Sequence, residues 1–123
     1  MQRTTRGVTV LPILVSLLLG LPPASAAGPT GISAADAAWS RRAAGATGGA
    51  ASEAAAREVV AAARAAVAAE PESVGARWRL MRALYFLGEH ATAGEAAKKA
   101  VFEEGKKVGE ETLGLLRRQA GAA

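Results

Sequence analysis

Glu70-Pro71-Glu72-Ser73-Val74-Gly75-Ala76-Arg77-Trp78-Arg79-Leu80-Met81-Arg82-Ala83-Leu84-Tyr85-Phe86-Leu87-Gly88 decides the fold. Pro71 disfavours helical geometry at Glu70, so a helix arriving from upstream ends there. Ser73 is placed to cap a new one. Val74, Trp78, Met81 and Tyr85 then recur at i, i+4, i+7 and i+11, and Leu80, Leu84 and Leu87 widen the stripe. Arg77, Arg79 and Arg82 fall mostly beside or opposite it. The expectation is a well-packed helix over Val74 to Leu87, ended by Gly88 as a C-terminal cap.

Upstream, Ser52 is a good N-cap, and residues 53 to 69 are nearly all strong helix formers. Ala56, Val59, Val60, Ala63, Ala66 and Val67 make one face at three-and-four spacing. Alanine buries little area, so this helix needs a bulkier neighbour. Further back, Ser33 can cap a first helix over 34–44, with Asp36 as a weak capping partner. Its only bulky apolar side chain is Trp39. Gly45-Ala46-Thr47-Gly48-Gly49-Ala50 between the two reads as a loop.

Downstream, a long helix is expected from Glu95 to about Arg118. One stripe carries Ala97, Val101, Val108, Thr112 and Leu115; a neighbouring one carries Phe102, Gly109, Leu113 and Leu116. Glu103–Lys107, Lys106–Glu110 and Lys107–Glu111 are oppositely charged neighbours on that helix. Gly105 and Gly109 each cost about 1 kcal/mol in a helix interior. In return they leave a flat patch that another helix can approach closely. The pattern is therefore all-α, built of antiparallel helix pairs.

The N-terminal 26 residues read differently. Arg3 and Arg6 precede an apolar run from Val8 to Leu21, followed by Pro22-Pro23 and the small residues Ala24-Ser25-Ala26. That order is a secretory signal peptide with its exit at Ala24 and Ala26. The apolar run is shorter than the roughly 20 residues of a spanning helix, so membrane attachment is expected only through an uncleaved signal. The expected layout is a signal peptide over 1–26, a flexible lead-in over 27–33, a helical domain over 34–118 and a frayed tail over 119–123. The expected location is periplasmic or secreted.

The chain has no cysteine, which excludes disulfides, thiolate zinc sites and cysteine nucleophiles. Its formal net charge is +4, but Arg3 and Arg6 belong to the signal, so the remainder carries only +2. That balance leaves no electrostatic footprint for nucleic acid. Arg41-Arg42, Lys98-Lys99, Lys106-Lys107 and Arg117-Arg118 read as solvated helix faces. His90 is the only histidine and sits beside a turn, where a solvated or capping role is expected. Glu103-Glu104 and Glu110-Glu111 alternate with lysines and read as a solvated face. The 45–49 loop lacks the Gly-Lys-Ser/Thr ending of a phosphate loop. No catalytic, cofactor or metal site is expected.

Helix, turn, helix, proline and again helix, turn, helix is the layout of an α-solenoid. Around Pro71 the chain resembles a tetratricopeptide repeat. Pro71 matches the closing proline, Val74 the start of the next helix A, Leu80 and Ala83 its leucine and alanine, and Gly88-Glu89 its turn. Ala93 and Ala100 stand for small residues of helix B, and Ala66-Val67 for the end of the preceding one. The family's first Trp falls on Arg77, its helix A Gly on Met81, its Tyr on Leu84 and its helix B aromatic on Ala97. A second placement makes Gly94 to Lys99 an inserted linker, with Gly105 and Gly109 as the small helix B positions. Residues 34–118 then form about two degenerate repeats.

The run from Trp78 to Gly88 is similar to exported bacterial members, some of them like the helper component of TRAP-type solute transporters. The resemblance implies a protein–protein adaptor, with helix A side chains lining a concave groove. Trp78, Arg82 and Tyr85 are its candidate partner-binding residues; the competing reading puts Trp78 and Tyr85 in the core. The other functional readings are an accessory component of solute uptake and a truncated repeat without independent function. Solenoids usually need about three repeats with capped ends, so completion by a partner or an oligomer stays open.

Overall fold

A computed structural model describes Gly28 and residues 30 to 122. The expected signal peptide, with its exit at Ala24 and Ala26, lies outside the described residues. Four α-helices follow one another: α1 (Gly31–Ser40), α2 (Glu53–Ala69), α3 (Val74–Phe86) and α4 (Glu95–Gly121). A single π-helical turn, Leu87–Ala91, extends α3. The described fold is all-α, and none of its helices is long and apolar enough to cross a membrane.

The two serine caps form as expected. Ser52 Oγ accepts from the Ala55 N–H at 3.3 Å and Ser73 Oγ from the Ala76 N–H at 3.1 Å. Each satisfies a donor that the first helical turn leaves unpaired. α2 turns Ala56, Val59, Val60, Ala63 and Ala66 inward, with Val67 partly buried beside them. At Pro71 the chain reverses: the Ser73 N–H donates to the Glu70 carbonyl at 3.0 Å. Arg77 Nε clamps the corner by donating to the Pro71 carbonyl at 3.0 Å.

The leucines of the expected α3 stripe face inward, but its aromatics do not. Ala76, Leu80, Ala83 and Leu84 are buried, with Leu87 just beyond, whereas Trp78 is 50% and Tyr85 61% exposed. The core reading of those two aromatics is therefore wrong. The alanine-rich face of α2 admits a close approach only from a narrow, smooth face of α3. Small and leucine side chains supply that face, and an indole or phenol would hold the helices apart.

α4 runs antiparallel to α3 and buries Val108, Thr112 and Leu115. Gly105 and Gly109 are where α3 comes close. A Cβ on Gly105 would sit 3.8 Å from Leu84 Cβ, and one on Gly109 3.4 Å from Met81 Sδ. The carboxylates of α4 that close ion pairs reach other helices: Glu104 to Arg64 of α2 and Glu111 to Arg77 of α3. α4 also continues past the expected end at 118, and Gln119 Nε2 donates to the Glu72 carbonyl at 2.8 Å. Among the described residues the tail beyond 118 is thus helical rather than frayed.

Two further boundaries move. α1 starts at Gly31, inside the expected lead-in, and its N-cap Thr30 makes no side-chain cap bond. Ser33 lies within the helix, and Asp36 is engaged elsewhere. At the other end of α3, Gly88 is not a cap but a buried member of the π turn. The ring of Phe102 lies on it: a Cβ there would be 2.6 Å from Phe102 Cε1.

α1 and α3 lie side by side and run the same way. Ile32 Cδ1 reaches Gly75, Asp36 pairs with Arg79, and Trp39 stacks on Arg82. Each contact joins residues 43 apart, so one register relates the two helices along their length.

Candidate functional site

The groove between α1 and α3 gathers most of the unusual chemistry of the described residues. Helix α3 carries three arginines and no carboxylate between Val74 and Gly88. Residues 31 to 52 contain one acidic side chain, Asp36. The shared register brings these together. Arg79 Nε donates to Asp36 Oδ1 at 2.7 Å and its Nη2 to Oδ2 at 2.9 Å, a two-point pair of strong geometry. Arg79 Nη1 also donates to the Gly75 carbonyl at 3.0 Å. These hydrogen bonds to Arg79 hold the Asp36 carboxyl below its ordinary range and raise the guanidinium in turn.

Arg82 takes the next place along the groove and finds Asp36 already occupied. Its nearest guanidinium nitrogen stays 3.6 Å from Asp36 Oδ1. Its Nε is buried and has no hydrogen-bond partner among the described residues. Aromatic faces surround it instead. The guanidinium carbon lies 3.9 Å from the Trp39 ring centre and 4.6 Å from that of Trp78. Burial pushes its basicity down, Asp36 opposes that, and the neighbouring charges of Arg79 and Arg42 add to it. An arginine stays protonated throughout the physiological range regardless.

Arg42 faces the same indole, 4.3 Å from the Trp39 ring centre, and its Nη1 donates to the Trp39 carbonyl at 3.0 Å. Two guanidinium groups therefore draw on one carboxylate, and a third stands beside them on the same indole. Cation–π contacts are worth about 0.5–1 kcal/mol each when exposed, and about 2 when desolvated. They hold the positive charge in place without neutralising it.

A cavity of about 200 Å³ opens next to Arg42, lined by Ala46, Gly48, Ala50, Phe86 and His90 among others. The 41–52 connection forms its far wall. Thr47 and Ala50 exchange backbone hydrogen bonds at 3.1 Å across a tight turn in which Gly48 takes φ +59°. Phe86 joins this cavity to the groove: its ring meets Trp39 edge-on at 5.5 Å and His90 at 5.2 Å. His90 is exposed, and its carbonyl accepts from the Ala51 N–H at 3.0 Å.

Of the three residues singled out from the sequence, the fold unites two. Trp78 and Arg82 stack on one another, Trp78 at the rim and Arg82 inside. Tyr85 turns away from the groove and tilts against Phe102 of α4, with ring centres 6.2 Å apart. The sequence reading missed the roles of Asp36, Trp39, Arg42 and Arg79. The signal for part of this was present: a helix with three arginines and no acid must find its counter-charges on another helix.

Comparison with protein-family models, curated proteins and solved structures finds no match for this chain.

Proposed function

We propose that this chain is an exported, non-catalytic adaptor related in layout to tetratricopeptide repeats, and that it binds an acidic segment of a protein partner in the α1–α3 groove. The observation that carries the reading is Arg82. It is a fixed cation with a quarter of its side chain exposed, stacked between two indoles and without a hydrogen bond among the described residues. A carboxylate laid across Arg42 and the exposed quarter of Arg82 would add the counter-charge that Asp36, committed to Arg79, does not supply. Trp39 and Trp78 would flank it with apolar surface, and the cavity beside Arg42 suits a small apolar side chain. Buried arginine and tryptophan are the side chains that most often dominate protein interfaces.

The repeat layout has its own support in the constant 43-residue register between α1 and α3. That offset exceeds the 34 residues of the tetratricopeptide family. The surplus fits the long 41–52 connection, which also walls the cavity. Export rests on the order of charge, apolar run and small residues at the N-terminus.

Tryptophan fluorescence gives the test. A glutamate-rich peptide should change the emission of the chain, the effect should weaken with salt, and a lysine-rich peptide should leave it unchanged. Arg82→Gln should cut the affinity at least tenfold while the Asp36–Arg79 pair keeps the helices docked. Equal binding by that variant would overturn the assignment.

A further inference from the structure

The five large apolar side chains that the described residues expose, Trp78, Tyr85, Phe102, Leu113 and Leu116, belong only to α3 and α4. They share one face, and its layout is nearly palindromic. Met81 and Gly109 sit level with one another at its centre. Phe102 and Leu116 lie seven residues on either side of Gly109, two helical turns each way. Trp78 and Tyr85 lie three and four residues on either side of Met81. We propose that this face docks a second copy of the chain about a two-fold axis passing by Gly109 and Met81.

Such an axis places Phe102 against Leu116 of the second copy and Trp78 against its Tyr85, each pair formed twice. A two-fold interface must be self-complementary in this way. At the crossing Gly109 has no side chain, and Met81 Sδ of the same copy packs 3.4 Å from where its Cβ would sit, so a flexible thioether forms the surface there. The charges along the outer flank follow nearly the same symmetry, centred one residue earlier at Val108. Lys106 and Glu110 are exposed and form no ion pair among the described residues. Across the axis Lys106 meets Glu110 of the second copy, and the reverse. Lys99 and Arg117 are like charges at the ends, where long side chains reach water.

From Phe102 to Leu116 the face runs about 21 Å, and two packed helices make it about 20 Å wide. The face therefore covers about 400 Å², within the range of the largest apolar patch of an ordinary monomer, which is often functional. Two such faces bury about 800 Å² in all, below the roughly 1,200 Å² at which stable interfaces begin, so the dimer is expected to be weak and to form reversibly with concentration. The α1–α3 groove stays open in this arrangement apart from its rim residue Trp78, and the two proposals stand or fall separately.

Sedimentation equilibrium on the chain as its host produces it, across the micromolar range, tests the proposal. The mass should rise towards twice that of the monomer. Leu116→Glu, on an exposed side chain, should weaken association at least tenfold with unchanged helical circular dichroism. Lys106→Glu and Glu110→Lys should each weaken it severalfold, and the double swap should restore it. A monomer at all concentrations, an open-ended series of larger species, or a double swap no better than the single changes would overturn it.

Discussion

Asp36 and Arg79, 43 positions apart, close a two-point ion pair that fixes α1 against α3 and leaves Arg82 without a carboxylate of its own. The groove depends on this unequal sharing. One acid is spent on docking two helices, and the cation one turn further along is held by indoles.

Acid should loosen that docking. Folding lowers the pKa of Asp36, so its contribution is complete above the unfolded value of about 3.9 and disappears as pH falls through the lower folded value. The carboxylate is about half exposed, so the contribution should stay below about 1 kcal/mol. In thermal melts Asp36→Asn should be less stable than the parent at neutral pH and indistinguishable from it in strong acid. A gap that persists in acid would show that the pair is not its source.

Leu84 and Leu115 are the two largest side chains the described fold buries completely, in a core whose other members are mostly alanines and valines, with Leu80, Leu87 and Thr112. Leu115→Ala should cost about 2–5 kcal/mol in denaturant unfolding, enough to threaten a domain of this size. Leu113→Ala, on the exposed face of the same helix, should stay within about 0.5 kcal/mol at concentrations too low for association.

Gly88 lies under the ring of Phe102, so Gly88→Ala should cost about 1–3 kcal/mol through overpacking. Most of that loss should vanish in a Phe102→Ala background, because the three atoms such a Cβ would meet first all belong to that ring. A double-mutant cycle by chemical unfolding measures the coupling directly.

The caps give a graded comparison. Ser52→Ala and Ser73→Ala each remove an observed acceptor and should cost about 1 kcal/mol. Ser33→Ala should have little effect, because Ser33 is exposed within α1 and caps nothing.

How far the sequence reveals this architecture depends on whether a feature is local. Ser52, Ser73 and Pro71 act on their own neighbours, so α2, the corner and the start of α3 are legible. The three-and-four pattern of α2 also survives, because its inward residues are the larger ones among alanines. On α3 the same logic fails: the bulkiest side chains, Trp78 and Tyr85, face outward, and the small Ala76 and Ala83 face the core. Size stops tracking burial when the facing helix is built of alanine. The glycines of α4 announced a close approach without naming its partner, which is α3 itself. The groove is the least legible part, since the 43-residue register that brings Asp36 and Trp39 to Arg79 and Arg82 belongs to the packing and not to any one segment.

The Arg82 Nε–H resonance, observed by nitrogen-15 NMR while a glutamate-rich peptide is added, tests the groove most directly. A saturable shift is expected at Arg82 and at the Trp39 indole N–H, with the amides around Leu116 unmoved. Shifts confined to α4, or none at Arg82 when the peptide is bound, would contradict the groove assignment.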